Sequence, residues 1–386
     1  MFILERLTGV GVYSLLLFLF CFSLVDKDYK KIRVRLFFYT VALSVLAYFY
    51  IPYETADLFR INEFIVIFKK YTFIEIWEKQ VLVSELGFST LLYWIIAKIG
   101  IIPLLPASVT FVCYSCIFYV IRRTAEIKKL PGKIVATTLF FYMSIGTYMF
   151  VISGIRCMLG ISLLIFCFFR ESVEKKFNVL HIPIYVLACL FHPFAAVLVA
   201  ARFIVPVLDS KATPTKKVIY FTLLTVGAII VLRRFSGFVE KIVEKAESYL
   251  SGDLYSYLWE YLIAALTCLI IFVVLSKRQV LKAETNLKLN VWIIYEIALF
   301  VVSLVLSFEF TIFHRMTTYI MPIIALPLMM TALQESDSRK SNRNKKAISL
   351  SHTPLDLNSG VLILSAMILM LACVRGSLSS FKFFVL

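Results

Sequence analysis

The stretch Leu105–Lys133, LPASVTFVCYSCIFYVIRRTAEIKKLPGK, decides how the rest of the chain is read. It opens with an apolar run, Leu105–Ile121, of the kind that crosses the hydrocarbon core of a bilayer, for which roughly 17 to 25 residues are needed. It closes on Arg122, Arg123, Lys128, Lys129 and Lys133, and basic clusters of this sort resist translocation and stay on the cytoplasmic side. The same alternation of apolar run and basic loop recurs along all 386 residues. With 61% hydrophobic and only 17% charged residues, the chain lacks the polar shell that a soluble core of this size requires. A net charge of +16 would suggest nucleic acid in a soluble protein. Here the Lys and Arg gather in short loops between apolar runs, so the charge reads as membrane orientation, and nucleic acid is not an expected partner.

Leu7–Val25 is as apolar as the later runs and no small-residue cleavage site follows it, so it reads as a first span. Asp26–Arg35, Arg122–Lys133, Arg170–Lys176, Lys211–Lys217, Lys277–Lys288 and Arg339–Lys346 are the basic loops. Keeping them on one side constrains what lies between. After the span Leu36–Ile51 and the acid-containing stretch Pro52–Glu85 come two apolar pieces, and if both crossed, the Arg122 loop would be exported. The first, at 86–99, is therefore expected to be a re-entrant half-helix, tolerated in a membrane only where protein or a cavity surrounds it. Two basic loops likewise bracket a single apolar stretch, 179–208, broken by Pro193, which removes a backbone donor. That stretch is expected to be a broken hairpin with His192 near its outer turn.

The remaining spans are Ile134–Val151, Ile155–Phe169, Lys217–Leu232, Leu258–Leu275, Val291–Phe308, Met316–Leu333 and Gly360–Val374. The expected fold is an all-α polytopic membrane protein, one domain over residues 1–386, with roughly 11 to 12 crossings. It has outer loops at 52–85 and 233–260 and a cytoplasmic loop at 334–358. In the second outer loop Phe235, Phe238, Val239, Ile242, Val243, Ala246 and Leu250 recur at helical spacing opposite Glu240, Lys241, Glu244 and Lys245, which describes an amphipathic helix on the membrane surface. Asp57–Tyr71 is a looser version. The eight cysteines are scattered, and the lone Cys-x-x-Cys at Cys113 and Cys116 reads as small packing residues, not a metal or disulfide site.

Charges at span ends on the outer side are the informative set, because a charge facing lipid is costly and turns toward a partner or a wet cavity. They are Asp57, Arg60, Glu85, Arg156, His192, Arg233, Arg234, His314, Arg315 and Arg375. Arginine forks grip phosphate oxygens bidentately, so arginines converging on one cavity suit a pyrophosphate leaving group. A nearby carboxylate or imidazole then accepts the proton of an attacking hydroxyl. Each residue also has a plainer reading: snorkelling for Arg156, a kink beside Pro193 for His192, solvated loop charges for Glu85, Asp57 and Arg60, and headgroup contact for Arg233 and Arg234.

The order of "ETADLFRINEFI", "SELGFSTLLYWIIAKIG", "SGIRCMLGISLL", "CLFHPFAAVLV" and "FHRMTTYIMPI" resembles the EpsG-like branch of the Wzy-type polysaccharide polymerases, from about Glu54 to Pro322. The family's acid-containing first loop, acid before a Gly-aromatic helix start, Ile-Arg opening a span, Phe-His, and late Arg with a Tyr four residues on fall on Asp57, Glu85, Arg156, His192, and Arg315 with Tyr319. Leu86, Cys157, Pro193 and Phe194 depart from its pattern. The resemblance implies a metal-independent, GT-C-like glycosyltransferase without cofactors in a bacterial inner membrane. It would join undecaprenyl-pyrophosphate-linked oligosaccharide repeat units into O-antigen, capsule or exopolysaccharide on the periplasmic or exterior face, among membrane lipids and beside a flippase and a chain-length regulator. Arg156, Arg315, Arg60, Tyr319, Arg233 and Arg234 would bind substrate, and the base would be His192, Glu85 or Asp57. A flippase of lipid-linked oligosaccharide would instead show ionisable residues deep in several spans and two related halves. A membrane acyltransferase would need a closely spaced His and acid.

Overall fold

Apolar segments with no water to bond must satisfy their own backbone polar groups, and the helix does so within one segment. The computed structural model describes residues 2–54, 56–81, 87–145, 147–174, 176, 178–192, 195, 198–199, 202, 213, 215, 258–276, 290–305, 310–344 and 357–375. Regular structure among these residues is helical throughout. In chain order the helices are α1 (Phe2–Val25), α2 (Tyr29–Tyr48), α3 (Asp57–Phe68), α4 (Phe73–Ile76) running into a π-turn at Trp77–Val81, α5 (Gly87–Ile99) and α6 (Leu104–Lys128). There follow α7 (Gly132–Ser144), α8 (Thr147–Ser153), α9 (Ile155–Ser172), α10 (His181–Phe191), α11 (Leu258–Leu275) and α12 (Asn290–Val305). Next come α13 (Phe310–Arg315), continuing through a π-turn at Met316–Ile320 into α14 (Met321–Asn344), and then α15 (Leu357–Arg375). Two helical stretches, Leu104–Lys128 and Phe313–Gln334, are long and apolar enough to cross a membrane, and several shorter apolar helices accompany them.

Specific contacts fix the directions of these helices. The Tyr13 hydroxyl donates to the Met143 carbonyl at 3.0 Å and the Gly132 N–H donates to the Lys27 carbonyl at 3.0 Å, so α1 and α7 are antiparallel. Gly132 lies so close to α1 that a Cβ there would stand 1.9 Å from the Leu24 carbonyl oxygen. Tyr39 of α2 stacks on Phe118 of α6 with centroids 5.8 Å apart. Helix α6 ends with Lys129 in the left-handed region (φ 52°) and the Leu130 N–H bonded to the Ala125 carbonyl at 2.9 Å, a Schellman closure sealed by buried Leu130. Arg123 Nε donates to Glu174 at 2.6 Å, and Gln334 donates to the Lys128 carbonyl at 3.3 Å. The ends of α1, α6 and α9, the start of α7 and the middle of α14 therefore share one end of the bundle, where Lys27, Arg122, Arg123, Lys128 and Arg170 collect.

Helix α10 folds back along α9. Gly160 meets the backbone of Ala188, where a Cβ would come 3.1 Å from its carbonyl oxygen, and the His181 ring is 2.9 Å from Glu171. Arg202 also reaches Glu171, at 2.8 Å. A chain that meets one carboxylate at His181 and again at Arg202 has reversed in between, within the stretch read as broken at Pro193. Pro193 itself, with Phe194, lies outside the described residues. Helix α10 rises about 16 Å, roughly half a hydrocarbon core, and His192 ends it in extended conformation. Helix α5 is about 20 Å long and also falls short of a crossing. Its opening turn touches the end of α10 through Phe88 and Phe191, 5.9 Å between centroids. Its far end is pinned to the segment after α3 by Trp94 Nε1 on the Tyr71 carbonyl and Lys98 Nζ on the Lys69 carbonyl, each at 3.0 Å.

The structure departs from the sequence reading in three places. Helix α2 begins at Tyr29, so Lys30, Lys31, Arg33 and Arg35 are helical rather than in a loop; Lys and Arg are good helix formers whose long side chains snorkel. The run at 134–151 is divided between α7 and α8. Helix α14 continues through Asn344 into the expected loop at 334–358, because no Gly or Pro interrupts 334–344. The expected span Lys217–Leu232, the basic loop Lys277–Lys288 and the amphipathic segment of the second outer loop lie outside the described residues.

Candidate functional site

At the end of α9 away from the basic cluster, α8 runs into α9 through Gly154. Its N–H donates to the Phe150 carbonyl at 2.8 Å, and a Cβ at Gly154 would stand 2.8 Å from the same oxygen, so only glycine fits this bend without a shift. Gly154 supplies no side-chain cap to the opening N–H groups of α9. Arg156 follows in that first turn, half-buried.

The second wall comes from the far end of the chain. Helix α13 ends on His314 and Arg315 and passes into the π-turn, whose loosened backbone is supported by Thr317 donating to the Phe313 carbonyl at 2.8 Å and Thr318 donating to the His314 carbonyl. The wider π-turn sets Tyr319 against Phe150, with centroids 4.1 Å apart. The His314 ring stands edge-on to both, 5.5 Å from Phe150 and 5.8 Å from Tyr319. Phe150 thus ties the Arg315 region to the start of α9.

Electrostatic neighbours define who shares this space. Cys157 lies within reach of the charges of Arg315, Arg156 and Asp57. Tyr319 lies within reach of Arg315, Cys157, Asp57 and Tyr53, and Tyr93 on α5 within reach of Arg156 and Asp57. Asp57, at the start of α3, is paired with Arg60, and both are largely exposed. Continuing the α9–α10 register four residues from the Gly160–Ala188 contact sets His192 level with Arg156. Among the described residues, neither Arg156 nor Arg315 has a carboxylate within ion-pair distance. Two half-buried guanidiniums near the uncapped start of α9, with Asp57 among the neighbouring charges, make a cationic cluster.

Of the residues singled out in the sequence, Asp57, Arg156, Arg315 and Tyr319 come together here, Arg60 joins through Asp57, and His192 ends α10 at the same level. Glu85, Arg233 and Arg234 lie outside the described residues. Sequence reasoning missed Phe150, Tyr93 and Tyr53, since an aromatic in an apolar run carries no mark separating it from core packing. Among the described residues no group of three His, Cys, Asp or Glu side chains is arranged to hold a metal ion.

No curated protein and no solved structure matches the chain. The profile of one family, EpsG, matches residues 64–351, a span that contains Arg156, His192, Arg315 and Tyr319 and leaves out Asp57 and Arg60. With well over half of its length matched, the chain belongs to the EpsG family.

Proposed function

We propose that this protein polymerises polysaccharide in the membrane, joining undecaprenyl-pyrophosphate-linked oligosaccharide units at the outer face of the bacterial plasma membrane by metal-independent glycosyl transfer. The observation that carries this reading is that Phe150, just before Gly154, packs on His314 and Tyr319 and so brings the Arg315 turn to the start of α9, while neither Arg156 nor Arg315 has a carboxylate partner among the described residues. Half-buried guanidiniums left unpaired are costly in a membrane protein and are kept where they meet an anionic substrate. In the reaction an acceptor hydroxyl attacks the anomeric carbon of the growing chain, the bond from that carbon to the pyrophosphate oxygen breaks, and the lipid pyrophosphate departs. Arg156, Arg315 and the opening N–H groups of α9 take up its charge, which is worth most where it develops in the transition state. The hydroxyl proton passes to a base for which Asp57, His192 and Glu85 are the candidates. Arg60, Arg233 and Arg234 would serve the same substrate from the outer loops.

The collection of Lys and Arg at the basic end supports an orientation in which that end faces the cytoplasm and the Arg156–Arg315 end faces outward. Arg156→Ala and Arg315→Ala, each expressed in cells lacking the native copy, are expected to remove the high-molecular-weight ladder from a polysaccharide gel and leave single repeat units on lipid. An intact ladder in both variants would sink the assignment. Purified protein in one-sided liposomes supplied with lipid-linked units is expected to lengthen chains; translocation without chain growth would replace this reading with a flippase.

A further inference from the structure

Apart from the Arg156–Arg315 cluster, a buried ionic group among the described residues closes the base of the α10 reversal. The Glu171 side chain is 5% exposed and the His181 ring 2%. One carboxylate oxygen meets His181 Nδ1 at 2.9 Å; the other receives Arg202 Nε at 2.8 Å and its terminal nitrogen at 2.6 Å. His181 opens the outgoing leg and Arg202 stands on the returning one, so a single carboxylate of α9 fastens both legs at the same height. A small cavity lined by Tyr185, Leu198, Arg202 and Tyr295 lies between the legs and their neighbours, and the returning leg is steadied further by the Tyr295 hydroxyl donating to the Leu198 carbonyl.

We infer that Glu171 is a positioning residue: by closing the base of the reversal it sets the depth of the tip, and so holds His192 level with Arg156 about 16 Å away. The catalytic meaning of that depth rests on the polymerase reading; the fastening itself does not. A rigid leg transmits displacement at its base to its tip, and a shift near 1 Å at a reacting centre costs on the order of 100-fold in rate. Arg156 and Arg315 sit on α9 and α13, apart from this leg, so substrate affinity should survive a loosened base.

The test uses full-length protein in lipid nanodiscs, with Glu171→Gln, which removes the charge but keeps the shape, and Glu171→Asp, which keeps the charge. Amide hydrogen exchange over 181–191 and initial rates of chain growth are measured on the same preparations. Glu171→Gln is expected to speed exchange in α10 while leaving α6 and α7 protected, and to lower kcat on the order of 100-fold with KM for the lipid-linked unit within about twofold; Glu171→Asp is expected to recover most of both. A general loss of fold would instead speed exchange throughout. Unchanged exchange over 181–191 in Glu171→Gln overturns the fastening. Faster exchange with an unchanged kcat overturns its link to the tip. A wild-type preparation that binds lipid-linked units and never lengthens them overturns the polymerase reading, while the exchange data still decide the fastening.

Discussion

The two ends of this bundle treat charge in opposite ways. At the basic end, cations are matched to buried carboxylates: Glu174 takes Arg123 at 2.6 Å and the Tyr119 hydroxyl, and Glu171 takes His181 and Arg202. At the other end, Arg156 and Arg315 come together with no such partner among the described residues, and the nearby carboxylate, Asp57, is already engaged by Arg60. Paired charge fixes helices in place, whereas unpaired charge in a low-dielectric setting is stored binding capacity for an anion. The same residue type, arginine, is thus structural at one end and a candidate for substrate at the other, and its neighbours decide which.

That contrast can be broken by measurement. Glu171→Ala leaves Arg202 and the buried His181 ring without their carboxylate partner and is expected to lose about 3 kcal/mol of stability, read as a lower thermal midpoint of the purified protein. Arg156→Ala is expected to reverse the pattern. It should cost on the order of 100-fold in chain-growth rate, about 2.7 kcal/mol of transition-state stabilisation, with the thermal midpoint hardly moved. If Arg156→Ala unfolds the protein as readily as Glu171→Ala, the arginine cluster is structural too. Gly132→Ala, pressing a methyl into the Leu24 carbonyl, is expected to cost about 1 to 3 kcal/mol of stability with activity kept in the folded fraction. Gly154→Ala meets the Phe150 oxygen at 2.8 Å and is expected to cost less stability but to lower the rate, because it re-aims Arg156.

The smallest effect concerns the outer segment. Thr72 and Glu75 form a capping box at the start of α4. The Thr72 N–H, then its hydroxyl, and the nearby Lys79 and Lys98 hold the Glu75 carboxyl below its ordinary value of 4.5. An acid whose folded value is depressed adds stability above its unfolded value and loses it as pH falls through the folded one. Protection of the α4 amides, taken relative to the intrinsic exchange rate at each pH, should therefore be unchanged from neutral pH down to about 5 and fall only below the ordinary carboxylate range, a change absent in Glu75→Gln.

Much of the architecture was readable before any coordinates, because hydropathy and basic clusters report directly on which segments avoid water and which ends stay together. The grouping of Lys27, Arg123, Lys128 and Arg170 at one end is an arrangement of that kind. Features set by one atom or one extra backbone residue were not readable. The bend at Gly154 depends on the approach of a single carbonyl, and the π-turn at Met316–Ile320 looks in sequence like any apolar helix. Arg156, Arg315 and Asp57 stood out as charges in apolar surroundings, while Tyr93, an electrostatic neighbour of Arg156, and Phe150, packed on Tyr319, blend with the 15% of residues that are aromatic. The extension of α14 past Leu333 was hidden because polarity says where a helix leaves lipid, not where it stops.

The contact between Tyr13 and Met143 joins residues 130 apart in the chain, and this sets an order of events during synthesis. At roughly 5 to 20 residues per second, α1 is made on the order of ten seconds before its partner α7 exists. Through that interval α1 can pack on α2, through Phe20 and Tyr39, and a ribosome halted before Met143 would leave its α7-facing side undocked.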